Sequence, residues 1–191
     1  MNLDYKKYRW FFTSSGKLVY GGKSALQNEE VVKTIMKEEN KIVMHTQMPG
    51  SPFAVIDSPL SKVSEEDLEE TAIWTACFSR AWRSKKIKAE VHIFSSNQIY
   101  KDKTMKEGTF GILGKVEKKE VKLKLCLILQ ENVLRAVPEK TAMNKEIFEE
   151  ISPGKIEKEK YAAKLAEELK RSATEVLNAL PSGAIKSKWQ K

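Results

Sequence analysis
The 191-residue sequence is poor in the side chains that make metal centres and covalent nucleophiles, with two cysteines and two histidines. Cys77 and Cys126 have no CxxC spacing, and His45 and His92 no HxxxH or HxxE spacing, so neither a disulfide framework nor a zinc site of ordinary ligand order is indicated. Cys77 falls in a predicted helix and Cys126 in a predicted strand, which makes both expected buried, reduced thiols rather than activated thiolates. No apolar run approaches a membrane span or a signal-peptide core, and Met1 to Lys7 is polar, so a cytoplasmic protein without membrane attachment is expected. Repeats and low-complexity segments are absent. Acid is in the minority: the formal charge is +8 and the pI about 9.3, a balance that favours a polyanionic partner. The acidic clusters at residues 65–70 and 146–150 read as solvated helix faces rather than as carboxylate pairs for hydrolysis.

With 41% hydrophobic and 31% charged residues, the chain has the composition of a globular protein able to bury a core without staples. Its focal stretch is Gly21-Gly22-Lys23-Ser24-Ala25-Leu26-Gln27-Asn28-Glu29, which follows the apolar Leu18, Val19 and Tyr20 and opens a helical pattern through Val31, Val32, Ile35 and Met36. Strand, glycine turn and helix N-terminus together make anion-binding geometry: Gly21 and Gly22 permit close approach, and the first turn offers free N–H groups. Lys23, Gln27 and Asn28 add a cation and two amides suited to phosphate, ribose or base edges. A nucleotide-triphosphate P-loop is not indicated, because the position five before Gly22 is Lys17 and the intervening residues read as strand. A structural turn and helix cap is the alternative reading of the same residues.

The expected fold is α+β: a largely antiparallel sheet with packed helices and a C-terminal helix. Strands are predicted at residues 9–13 and 17–20 around Ser14-Ser15-Gly16, at 42–46, 53–56, 89–94 and 98–101, at 110–116, and most clearly at 121–129, where Val121, Leu123, Leu125, Leu127 and Leu129 alternate with their neighbours. Helices are predicted at 25–37, at 64–83 with the stripe Trp74, Phe78 and Trp82, and at 158–180 with the stripe Tyr161, Leu165, Leu169 and Val176. Glu38-Glu39-Asn40-Lys41 reads as a solvated turn, residues 131–152 as irregular, and Met48-Pro49-Gly50-Ser51-Pro52 as a ligand-facing breaker loop. Between Arg80 and Lys106 stand eight Lys or Arg against Glu90 and Asp102, a local excess of six positive charges.

Trp10-Phe11-Phe12-Thr13-Ser14-Ser15-Gly16, the run from Gly21 to Glu29, His45 with Gly50, Ser79-Arg80-Ala81-Trp82, Gln98 with Lys101, and Gly108-Thr109-Phe110-Gly111-Ile112-Leu113-Gly114-Lys115 together resemble the NFACT-R domain in order and spacing. Gln47 departs from the pattern, standing where family members carry an acid beside the histidine. The resemblance implies an RNA-binding module of the kind carried by large proteins that engage stalled large ribosomal subunits and tRNA in ribosome-associated quality control, here in the standalone, archaeal-type form. It implies residues 1–130 as the RNA-binding core and 131–191 as a C-terminal helical extension packed on or appended to it. Peptide-tail synthesis, which large members perform with a separate N-terminal domain, is not carried over.

The expected partner is RNA, either tRNA or large-subunit rRNA, and possible contact with the large ribosomal subunit follows from the same resemblance. Arg80, Arg83, Lys85 and Lys86 are expected to neutralise phosphates, with Gly21, Gly22, Lys23, Gln27, Asn28, His45, Trp82 and Lys101 making shorter-range contacts. No catalytic residue, metal or cofactor is expected. The alternatives are a protein-interaction module docking through Tyr161, Leu165 and Leu169 of the C-terminal helix, which requires them exposed, and an enzyme of tRNA modification, for which no cofactor ligands are found.

Overall fold
The computed structural model describes residues 4–38 and 40–187, so Glu39 of the expected turn and the first three residues of the polar N-terminus lie outside the described residues. The architecture is α+β, as the patterning predicts. Strands β1 (Arg9–Phe12) and β2 (Leu18–Gly21) form the expected hairpin, with Phe11 opposite Val19 and Arg9 opposite Gly21. Together with β3 (Ile42–Thr46), β4 (Ala54–Ile56), β5 (Lys88–Ser95) and β8 (Glu117–Lys122) they build a six-stranded antiparallel sheet in the order β1-β2-β4-β3-β5-β8. A two-stranded ribbon of β6 (Ile99–Tyr100) and β7 (Gly111–Ile112) lies between β5 and β8 in sequence.

Side chains alternate across this sheet into two cores. Trp10, Tyr20, Val43 and Val55 enter one with Val31, Val32 and Ile35 of helix α1 (Ala25–Ile35). Phe11, Val19, Met44 and Ile56 enter the other with Ala72, Trp74 and Ala76 of helix α2 (Glu65–Cys77). Ser24 caps α1 by accepting from the Gln27 amide, and Ser64 and Asp67 cap α2 reciprocally. Asp67 and Glu70 are buried rather than solvated: Asp67 accepts from the Thr13 and Ser15 hydroxyls at 2.6 Å each, and Glu70 from the Ser14 amide at 2.7 Å and Thr141 at 2.5 Å. The acidic periodicity of 65–70 thus hides two residues that tie the β1–β2 turn to α2, because carboxylates that accept several hydrogen bonds can be buried.

Three long predicted elements are broken. The helix over 64–83 ends at Cys77, and Ser79 caps a separate short helix α3 (Arg80–Arg83) while the Arg80 amide donates to the Gly50 carbonyl at 3.1 Å. The strand over 121–129 divides at Leu123 and Lys124: β8 pairs with β5, and β9 (Leu125–Gln130) pairs with β10 (Val133–Val137) and β11 (Glu149–Ile156) of a second antiparallel sheet completed by β12 (Ile185–Lys186). The alternation runs unbroken because Val121, Leu123, Leu125 and Leu127 all face one core, although the backbone changes partner sheet. The helix over 158–180 becomes α5 (Lys158–Leu169) and α6 (Ala173–Ala179), separated by Lys170 in the left-handed conformation and restarted by the Ser172 cap. The region 131–152, read as irregular, holds β10, helix α4 (Glu139–Ala142) and the start of β11, and residues 131–191, read as a helical extension, contribute three of the four strands of the second sheet.

Tyr161 and Leu165 lie in the same core as α2 and the second sheet, and Leu169 is half-buried against it. The stripe proposed for partner docking is therefore internal. Cys77 and Cys126 are free and buried, and burial pushes both thiols up, Cys126 to about 11. No described helix is long and apolar enough to cross a membrane.

Candidate nucleic-acid interface
The glycine turn is shaped by its own chain. A side-chain carbon on Gly21 would come within 2.8 Å of Pro52 Cβ, and one on Gly22 within 2.5 Å of the Asn28 amide nitrogen, so the glycines let β2 fold tightly onto α1 and the 48–52 loop. The two amides serve the same end. Asn28 donates to the Ser51 carbonyl and accepts from the Phe53 amide, each at 3.3 Å, and Gln27 Oε1 accepts from the Lys23 amide at 2.9 Å. What the turn leaves free is cationic: Lys23 is exposed, at the mouth of a cleft of about 250 Å³.

That cleft gathers residues from five parts of the chain. Arg9 comes from β1, Gly22 to Ala25 and Asn28 from the turn and α1, Gly50 and Ser51 from the breaker loop, Arg80 and Arg83 from α3, and Ser182 from the segment after α6. No Asp or Glu lines it. Among the described residues, Arg9, Lys23, Arg80, Arg83, Lys85 and Lys86 take part in no ion pair. Gly50 has φ +104°, and a side-chain carbon there would meet Arg80 Nε at 2.5 Å, so a glycine lets the Arg80 side chain lie across the loop. Burial pulls Arg9 down to about 10, and burial followed by the nearby Arg9 and Arg135 charges lowers Lys23; both remain cations at neutral pH. A concentration of unneutralised cations beside a helix N-terminus is suited to phosphate.

The remaining predicted residues separate into three groups. Lys85 and Lys86 are exposed, with Lys86 on a neighbouring cleft beside Gln47 and Arg80. His45 lines an adjoining cleft of about 580 Å³ that shares Asn28, Gly50 and Arg80 with the first. Its ring stacks on Phe53 at 4.5 Å, its Nδ1 sits 2.7 Å from the Thr46 carbonyl, and burial pulls its pKa down to about 4, leaving it neutral. Trp82 and Lys101 are corrected. Trp82 is 0% exposed and donates its indole N–H to the Ala184 carbonyl at 3.1 Å, so it offers no stacking face. Lys101 is saturated by Glu29 at 2.8 Å and by the Lys106 and Thr109 carbonyls at 2.8 and 3.0 Å, with Phe110 beneath at 4.6 Å.

Arg9 is the cleft residue that sequence patterning passes over, since one arginine between Tyr8 and Trp10 carries no motif. Its signal is the hairpin register, which sets it opposite Gly21. No cluster of three or more His, Cys, Asp or Glu able to hold a metal occurs among the described residues.

Residues 7–114 match the model of a family described as NFACT protein RNA binding domain. The chain is 34% identical over 114 residues to the archaeal Rqc2 homolog aRqcH of Methanocaldococcus jannaschii, covering 58% of this chain and 17% of that protein. It is 30% identical over 116 residues to the ribosome quality control complex subunit NEMF homolog of Drosophila melanogaster, covering 58% of this chain and 12% of that one. The match therefore spans less than a fifth of either relative. In fold, the chain is similar to the C-terminal part of the fibronectin/fibrinogen-binding protein from Streptococcus suis, with a TM-score of 0.56 at 20% identity over 73% of this chain and 49% of that one. With the family model covering more than half of its residues, the chain belongs to the NFACT protein RNA binding domain family.

Proposed function
We propose that this protein binds RNA through the cationic cleft at the α1 turn and works in association with ribosomes in the cytoplasm. The observation that carries the reading is the convergence of Arg9, Lys23, Arg80 and Arg83 on one acid-free cleft. Tertiary structure brings these cations together against their mutual repulsion, and a phosphate backbone relieves it. The family's description as RNA-binding and the naming of the Drosophila relative as a ribosome quality control complex subunit homolog support the same partner. tRNA and large-subunit rRNA are the RNAs we propose. Lys85 and Lys86 extend the field at the rim, while Gln27, Asn28 and His45 shape the turn and the loop beside it.

Binding of tRNA, single-stranded RNA and duplex DNA, followed by fluorescence anisotropy across a salt series, tests this. Four phosphate contacts on a single strand give a log–log salt slope of about −3, and Arg80→Gln/Arg83→Gln reduces its magnitude by about 1.4. Equal affinity for all three polyanions with an unchanged slope in the double variant overturns the proposal.

A further inference from the structure
Arg9 and Lys23 also border a second cleft, of about 360 Å³, whose far wall is Arg135 on β10 with Thr174 and Asn178 on α6. These wall residues lie beyond the matched residues 7–114. The Arg135 guanidinium stacks on Trp10 at 3.9 Å, and its Nη1 donates to the Leu134 carbonyl at 3.3 Å. Its Nε is buried without a hydrogen-bond partner. Trp10, 2% exposed, also lines the cleft and has an indole N–H with no partner. Arg9 Nη1 reaches only the Asn178 carbonyl, at 3.4 Å, over the Phe78 ring.

The carboxylates nearby are already engaged. Glu175 pairs with Arg171 at 2.7 Å and accepts from the Leu134 amide, and Glu131 pairs with Lys6 at 3.0 Å. Arg9, Lys23 and Arg135 form no ion pair among the described residues, and Lys158 donates only to the Leu180 carbonyl, at 3.2 Å. Burial pulls Arg135 to about 10, against the opposing charge of Glu175, and Lys158 to about 8, with Arg9 adding to both effects. Half-buried cations whose neighbouring carboxylates, Glu175 on the cleft wall among them, are paired elsewhere are costly, and two guanidiniums with spare N–H groups match the oxygens of a phosphate.

We propose that the cleft between Arg9 and Arg135 is a phosphate subsite, which carries the bound backbone from the α1 turn onto β10 and α6. The backbone assignment rests on the RNA-binding reading; the phosphate subsite is testable without it. Inorganic phosphate is the probe, against chloride at matched ionic strength. The chain carrying Arg80→Gln/Arg83→Gln, which removes the arginines that line the α1-turn cleft and not this one, is the background for the variant: there phosphate is expected still to raise the melting temperature, and a further Arg135→Gln to abolish the rise. In the wild type, whatever the fate of the variant, phosphate is expected to shift the Arg135 Nε–H and Trp10 indole N–H resonances. With RNA, Arg135→Gln is expected to reduce the salt slope by about 0.7.

Unmoved resonances, or a phosphate response that survives Arg135→Gln in that background, overturn the subsite. A phosphate response lost in the variant, in a wild type that binds no RNA, upholds the subsite and overturns the RNA reading. An RNA slope unaffected by Arg135→Gln, with the phosphate response lost, overturns the proposed path of the backbone.

Discussion

Asn28→Ala separates a residue that reads RNA from one that holds the turn. The Asn28 amide joins α1 to the breaker loop through the Ser51 carbonyl and the Phe53 amide, both at 3.3 Å. Hydrogen bonds of that length sit at the weak end of the range, each worth about 0.5–1.5 kcal/mol net. Phe53 is buried, so its amide left without an acceptor adds a desolvation cost toward the lower end of about 1–3 kcal/mol. The sum is about 2–3 kcal/mol, or a melting temperature lower by roughly 4–10 °C for a chain of this size. Urea denaturation checks it as a lower midpoint at unchanged m-value. Well below that midpoint, the variant is expected to bind RNA within about twofold of wild type, since the proposed contacts to RNA are made by the cations. Stability unchanged, with RNA discrimination lost, refutes this and returns Asn28 to the role its sequence context suggests. Gln27→Ala, at an exposed site, is expected to cost less than about 1 kcal/mol in the same assay.

Two further predictions follow from groups that the fold withdraws from solvent. Lys101→Met strands the buried Glu29 carboxylate, still held by Lys33 at 3.2 Å and the Gly108 amide at 2.7 Å, and is expected to cost roughly 2–3 kcal/mol, less than breaking a fully buried pair. The Lys101 bond holds Glu29 down to about 2, below its ordinary 4.5, so this stabilisation is complete above about pH 4.5 and is lost as pH falls toward 2. Urea midpoints against pH are expected to show that loss in wild type and a flatter profile in Glu29→Gln. His45, held near 4 by burial, stays neutral when folded while the unfolded chain takes up a proton below about 6.5. Its contribution to stability therefore falls as pH drops from about 6.5 to 4, by about 1.4 kcal/mol per unit at most. NMR of its ring protons is expected to show no titration between pH 8 and 5.5, and a midpoint above 6 refutes the buried geometry.

Period-two alternation made the strands of the first sheet legible, because Trp10 and Phe11, Tyr20 and Val19, and Val43 and Met44 each divide between two cores. The same signal hid the passage from β8 to β9, where one core receives the side chains of both sheets and only the hydrogen-bond partners change. Helical periodicity was equally silent at Phe78 and at Lys170, where a serine two residues or less downstream caps a new helix while the apolar stripe carries on. Of the cleft proposed as the site, local pattern picked out the glycine turn, Lys23, Arg80 and Arg83. It assigned Gln27, Asn28 and Lys101 to the ligand, whereas their polar atoms fasten the turn, the 48–52 loop and the Gly108 segment to one another.

Several residues that carry the family resemblance are thus the fastenings of its fold. Glu29, Lys101 and Gly108 meet in one cluster, and Gln98 donates to the carbonyls of Leu113 and Lys115 at 2.8 and 2.9 Å. Composition, charge and the order of short motifs were enough to determine the α+β class, the basic character and the family, since each depends on residues near one another in the chain. Which cations remain unpaired, which acids are buried, and which distant arginines share a cleft were decided only by tertiary structure. Ion pairing and burial are set by partners from remote segments: Arg9 and Arg135 stand in different sheets and meet across one cleft, and neither is marked by its neighbours in sequence.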